Sequence, residues 1–198
     1  MKAYYHARAR EYDDWWLGEG MYADRDRPGW EEELAQLAEV VAWLPPVRTL
    51  DVGCGTGRFL TQHLRGEVVG LDQSEAMLEI AREVVPEATF VQGDALELPF
   101  TDGEFERVFT SYFYCHLQES DRFRFLSEAR RVAAELVIVG TRRRRDLPPS
   151  RWEQRILSDG SHWTVFKRYF NPSELLAELG GGEVLHEGKR YFLVVRSP

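Results

Sequence analysis

Ten residues constrain this chain more than any others: the run "LDVGCGTGRF" at 50–59. An apolar strand pattern runs straight into Gly53, Gly55 and Gly57, three glycines at alternate positions. Glycines so spaced allow positive φ and leave bare main chain for a bound molecule to lie against. A strand that enters such a turn and leaves towards a helix is the opening of a β-α-β unit, so the run predicts a parallel α/β sheet with a ligand at its carboxyl edge.

The rest of the chain continues that alternation. Residues 30–44 carry apolar side chains at helical spacing and stop at Pro45-Pro46, which predicts a helix before the first strand. The stretches "VRTLDV", "EVVGLD", "ATFVQG", "RVFTSYFY" and "ELVIVGT" read as strands one to five. Between them "RFLTQHL", "SEAMLEIAREVV" and "DRFRFLSEARRVA" read as helices, with Ser74 as an N-cap. In the tail "NPSELLAELG" predicts a helix capped by Asn171, with Pro172 in its first turn, Glu174 in the capping-box position and Gly180 at its end. "EVLHEG" and "YFLVVRS" predict an antiparallel hairpin at one edge of the sheet. Between the fifth strand and this tail, Asp159-Gly160 marks a second hairpin, read as a flap over the site.

Composition sets limits on partners. A formal net charge of -8 argues against wrapping a nucleic-acid backbone, which depends on neutralising phosphates. Cys54 and Cys115 form no C-x-x-C pair, which fits a reducing compartment and suggests no structural zinc. No stretch approaches the ~20 apolar residues of a membrane span, and the N-terminus lacks a signal-peptide core. A cytoplasmic protein without a membrane partner is the expectation.

Three ligands compete for the glycine turn. A dinucleotide fingerprint, G-x-G-x-x-G, would need glycine where Arg58 stands. A phosphate loop needs a lysine that does not follow here. What remains is G-x-G-x-G preceded by Asp51, an acid suited to a cationic ligand such as S-adenosylmethionine, with its ammonium and sulfonium. A purely structural βα turn stays open.

With these residues in view, the sequence resembles the class I S-adenosylmethionine-dependent methyltransferases, in particular the small-molecule branch similar to ubiquinone and menaquinone biosynthesis methyltransferases. The resemblance covers about the first three quarters of the chain and rests on four stretches in order: "LDVGCGTGRF", "GLDQSEAML", "VQGDALELPF" and "FERVFTSYFYCHL". It implies a Rossmann-like α/β fold: a doubly wound, seven-stranded sheet, mostly parallel with an antiparallel last strand and helices on both faces. It also implies S-adenosyl-L-methionine as cofactor and S-adenosyl-L-homocysteine as product. For the site it implies Asp51, Gly53, Cys54, Gly55 and Gly57 from the first stretch. Asp72, Gln73 and Met77 follow from the second, with Asp72 on the ribose hydroxyls, where a carboxylate can accept two hydrogen bonds. Gly93, Asp94 and Ala95 come from the third, beside adenine, and Ser111 from the fourth, beside the methionine portion.

The family's N-terminal lid pattern resembles "YYHARAREYDDWW", in which Tyr5, Ala9, Tyr12 and Asp13 fall near the expected positions. Tyr12 and Trp16, four apart, would share a helical face and help close the pocket. The expected organisation is one methyltransferase domain over 1–198: a lid segment at 1–29, a cofactor-binding core at 30–145, a hairpin flap at 146–170, and a C-terminal helix and edge hairpin at 171–198. Methyl transfer to a small molecule by in-line displacement is mainly a matter of alignment. His116 is the first candidate for a general base, with Tyr112, Tyr114 and His162 behind it. The place after the fourth strand reads "SYFY" rather than the [ND]-P-P-[YF] of amino-methylating DNA enzymes, and Thr110-Ser111 offers no metal ligands, so neither nucleic acid nor metal is expected. The run Arg142 to Arg145, near the acceptor's entry, suits an anionic acceptor. A monomer or homodimer is compatible with all of this. A non-catalytic cofactor-binding module and a nicotinamide-dependent oxidoreductase are the rival readings, the second lacking both G-x-G-x-x-G and a Tyr-x-x-x-Lys arrangement.

Overall fold

The computed structural model describes residues 2–198. The N-terminal segment forms two short helices, α1 (Lys2–Arg8) and α2 (Asp14–Leu17), joined by a 3-10 turn at Ala9–Glu11. Gly29, at φ 78, opens α3 (Trp30–Ala42), whose Leu37 and Val41 are fully buried. The chain then alternates through β1 (Thr49–Val52), β2 (Val68–Asp72), α4 (Glu75–Val84), β3 (Thr89–Gln92), β4 (Phe105–Ser111), α5 (Glu119–Val132) and β5 (Ala133–Thr141). A hairpin of β6 (Ser150–Ile156) and β7 (His162–Arg168) follows, and α6 (Pro172–Glu178), β8 (Glu183–Glu187) and β9 (Phe192–Ser197) end the fold.

Seven strands form one sheet in the order β3-β2-β1-β4-β5-β9-β8. Strands β1 to β5 are parallel, β9 is antiparallel to both β5 and β8, and β8 therefore closes the edge running parallel to β5. The strand order reverses between β1 and β4, the point where ligands of doubly wound sheets bind beyond the carboxyl ends. Central strands are buried on both faces, so Leu50, Val108 and Val137 to Val139 are fully enclosed and their stretches read as apolar runs rather than alternations. The β6-β7 hairpin stands outside this sheet as a two-stranded unit, turned by Gly160 at φ 81.

Three local expectations are corrected. The helix expected at 58–64 is reduced to turns and one 3-10 turn at Thr61–His63. Leu60 leaves helical dihedrals, at φ -130, while the Thr61 hydroxyl donates to Asp51 Oδ2 at 2.6 Å and Phe59 stacks on Trp16 with centroids 3.6 Å apart. These anchors hold the segment in another path. The fourth strand stops at Ser111, because Tyr112 adopts φ 55, a left-handed conformation no extended strand tolerates. Asn171 occupies the N-cap of α6, but its side-chain amide donates to Glu174 (3.3 Å) instead of accepting from the helix.

Candidate active site

The carboxyl ends of β1 to β4 open onto a cavity of about 300 Å³. That volume lies at the lower end of the roughly 300–1,000 Å³ of small-molecule sites. Gly53 and Gly55, at φ 74 and 58, form its floor after β1. A Cβ on Gly53 would sit 2.8 Å from that of Phe113, so both the backbone conformation and the close approach require glycine there, while at Gly55 the positive φ alone does.

Asp72, at the end of β2, lines the same cavity and ties it together. Its Oδ2 accepts from the Gly55 amide at 3.1 Å and its Oδ1 from the Ser74 amide at 2.8 Å. Burial raises its carboxyl above the usual range, opposed by these backbone donors. Each oxygen accepts more than one hydrogen bond, so the carboxylate braces the loop and retains capacity for a ligand's hydroxyls. Gln73, Met77, Gly93, Asp94, Ala95 and Ser111 also line the cavity. Asp94 also accepts from the Leu96 amide at 2.9 Å, forming a turn of its own.

Other named residues lie away from the wall. Asp51 is 1% exposed beneath the loop, where burial pushes its carboxyl up to about 7 despite the Thr61 hydroxyl on Oδ2, and its Oδ1 has no partner. Cys54 faces inward towards Gly70, and Gly57, at φ 70, packs against Val85 and Ala81 of α4. Trp16 shares a face with Tyr12 (centroids 6.3 Å), yet it sits deeper, stacked on Phe59. Tyr114 is fully buried because the break at Tyr112 turns it into the core, where its hydroxyl donates to Glu178 at 2.5 Å. His162 is exposed at the start of β7, off the cavity.

His116 and Tyr112 do reach the cavity. His116 Nδ1 lies 2.6 Å from the Phe166 carbonyl, an acceptor only, so Nδ1 carries a proton, and in the neutral ring Nε2 is left as an acceptor. Next to it, Cys115 is fully buried with Lys167 Nζ 3.3 Å from its sulfur. Burial pushes that thiol up, but Lys167 and then His116 outweigh it and bring it down to about 6. The Lys167 ammonium also lies 4.6 Å from the Tyr112 ring centroid.

Two elements close the cavity. The N-terminal segment supplies Tyr5 and Tyr12 and is pinned to the glycine loop by Asp13, whose Oδ1 accepts from the Thr56 hydroxyl (2.7 Å) and Oδ2 from Arg58 Nε (3.1 Å). The β6-β7 hairpin supplies Trp152, Thr164 and Phe166, none of which the motifs name. Their signal was present as period-two spacing, since Thr164 and Phe166 share one face of β7 and Trp152 is the cross-strand partner of Phe166. A smaller pocket of about 50 Å³ adjoins the cavity, and Tyr5, Tyr12, Tyr112 and His116 line both.

The four arginines at 142–145 are corrected: none lines either space. Arg142 pairs with Glu187 (2.7 Å) and Arg143 with Glu174 (3.0 Å), tying the tail to the end of β5, while Arg144 pairs locally with Asp146 (2.8 Å). Among the described residues no group of three or more His, Cys, Asp or Glu could hold a metal ion, and no helix is long and apolar enough to cross a membrane.

Comparison with known proteins agrees with this geometry. Residues 49–135 match the family model of the methyltransferase domain. A demethylmenaquinone methyltransferase of Thermotoga maritima is 38% identical over 103 residues, 49% of this chain and 43% of the relative. An uncharacterized methyltransferase of Synechocystis is 46% identical over 87 residues, 42% of this chain and 41% of the relative. The matches thus span less than half of these curated relatives. Among solved structures, one described as "DhpI-SAM-HEP complex" superposes with a TM-score of 0.76 at 22% identity, covering 99% of this chain and 95% of the other. Residues 49–135, which carry the glycine loop and strands β1 to β4, thus match a methyltransferase domain, and the whole chain shares the fold of the solved structure it superposes on.

Proposed function

We propose that the protein transfers a methyl group from S-adenosylmethionine to a small-molecule acceptor in the cytoplasm, where a reducing environment suits its two free, buried cysteines. The observation that carries this reading is the cavity at the strand-order reversal, floored by Gly53 and Gly55 and flanked by Asp72, with Asp94 and Ala95 beyond. The residues fit the cofactor. Asp72 would take the ribose hydroxyls, the segment after β3 would meet the adenine, and Ser111 would lie by the methionine portion.

When bound, the sulfonium supplies the activated methyl and its own leaving group, so the protein's task is alignment. Holding two reactants in attack geometry is worth roughly 7–11 kcal/mol. The N-terminal segment and the β6-β7 hairpin would exclude water and orient the acceptor against Ser111 and His116. His116 is the base for an acceptor that must lose a proton, since the Phe166 carbonyl holds its Nδ1–H and leaves Nε2 to accept. Tyr112 shapes the floor beside it.

The test is S-adenosylhomocysteine release from S-adenosylmethionine in the presence of candidate small-molecule acceptors, together with two variants. Asp72→Ala should keep the folded circular-dichroism spectrum and lose S-adenosylhomocysteine affinity by about tenfold or more, as expected for removing a charge-assisted hydrogen bond. His116→Ala should keep that affinity and lose turnover. Unchanged affinity in Asp72→Ala would overturn the ribose assignment, and binding without turnover on any acceptor would leave a cofactor-binding module.

A further inference from the structure

The small pocket beside His116 is built differently from the cavity it adjoins. Three cationic side chains line it: Arg8 from α1, Arg155 from β6 and Lys167 from β7. No aspartate or glutamate does. Two of these cations already have partners, Arg155 in Glu153 and Lys167 in the Cys115 sulfur at 3.3 Å. Arg8 has none among the described residues: its guanidinium donates to the Tyr4 hydroxyl at 2.9 Å and lies 5.1 Å from the Tyr12 ring centroid.

Two buried donors at this pocket are also unmatched. Arg8 Nε and Trp16 Nε1 have no hydrogen-bond partner, and Trp16 is only 8% exposed. Unpaired buried donors are costly, and a ligand that accepts from them removes the cost. The hydroxyls of Tyr5 and Tyr12 stay protonated, because burial raises both, so they too can donate, whereas that of Tyr112 already donates to the Tyr191 carbonyl at 3.2 Å. A pocket with surplus positive charge, surplus donors and no acid fits an anion that accepts from several sides. At about 50 Å³ it has room for a head group of a few heavy atoms and not for a ring system.

We propose that this pocket holds a compact oxyanion, a phosphate-like or carboxylate head, through which the methyl acceptor is seated against His116. The proposal rests on the methyltransferase reading and adds the chemical class of its acceptor. It moves the source of anion recognition from the run at 142–145, none of which lines the pocket, to Arg8 and the hairpin.

The experiment titrates the protein, saturated with S-adenosylhomocysteine, with inorganic phosphate and separately with acetate. It follows the intrinsic tryptophan fluorescence, to which Trp15 and Trp16 of the pocket contribute. Saturable binding of at least one probe is expected in the parent. It should weaken by about tenfold or more in Arg8→Gln and be largely kept in Arg8→Lys. S-adenosylhomocysteine affinity should be unchanged in both variants, which also shows that they fold. Phosphate alone would mark a phospho head, acetate alone a carboxylate, and either outcome supports the pocket. Equal probe affinity in the parent and Arg8→Gln, or no saturable probe binding by a protein that binds S-adenosylhomocysteine, overturns the proposal. A parent that fails to bind S-adenosylhomocysteine removes the methyltransferase reading and this inference with it.

Discussion

Asp51 and Asp72 end neighbouring strands of one sheet and meet different environments. Asp72 stands at the cavity with a backbone donor on each oxygen, whereas Asp51 is sealed under the glycine loop with one oxygen partnerless. Burial lifts the Asp51 carboxyl from 3.8 to about 7, so the native state holds this proton more tightly than the unfolded chain. Its contribution to stability is therefore fully present below about pH 4 and is lost as pH rises through about 7, a loss on the order of 2–4 kcal/mol. Asp51→Asn keeps an acceptor for Thr61 and removes the ionisation. The expected result, from denaturant midpoints at pH 5 and pH 8, is that the parent loses stability relative to the variant across this window. Midpoints that move in parallel would show that Asp51 ionises at no cost. At this scale the sequence reveals residues fixed to strand ends by the motifs, such as Gly55 and Asp72. It does not reveal the side chain's final direction: the single positive φ at Tyr112 turns Tyr114 from a site candidate into a core residue.

The site's walls come from elements of unequal legibility. Strands β1 to β5 follow from apolar runs at regular spacing, and the β6-β7 hairpin from Asp159-Gly160. What the sequence could not show is how the hairpin and the N-terminal segment sit against the sheet, which packing decides. Tyr4 packs with Leu157 and Val165 of the hairpin, and the Ser158 amide donates to Glu11 at 2.9 Å, so the two closing elements form one unit. Their union creates the Arg8–Arg155–Lys167 pocket from residues nearly 160 positions apart, beyond the reach of any local pattern. Asp13 latches this unit to the glycine loop through Thr56 and Arg58. In Asp13→Ala, amide exchange over residues 2–17 should quicken, and S-adenosylhomocysteine affinity should fall by about tenfold, equivalent to about 1–2 kcal/mol of lost hydrogen bonding. Normal exchange and affinity would mean that the segment is held by its aromatic rings alone. Those rings are numerous, with Trp15, Trp16 and Trp30 in mutual contact and Phe59 stacked on Trp16, and they set the depth to which the segment seats.

On the scale of the whole molecule, the sheet is a rigid platform and the ligand-binding parts hang from one edge of it. Fully buried residues on β4, β5 and β9 carry the platform, while the glycine loop, the N-terminal segment and the hairpin all contribute to the cavity. A ligand that contacts all of them should stabilise the molecule globally. At a hundred times its dissociation constant it adds roughly 2.7 kcal/mol, which for a chain of this size raises the thermal midpoint by roughly 5–10 °C. The most direct measurement is therefore a thermal-unfolding comparison of the purified protein alone, with S-adenosylhomocysteine and with NAD. The account predicts a rise with S-adenosylhomocysteine and none with NAD. A rise with NAD alone, or no rise with saturating S-adenosylhomocysteine, would contradict it.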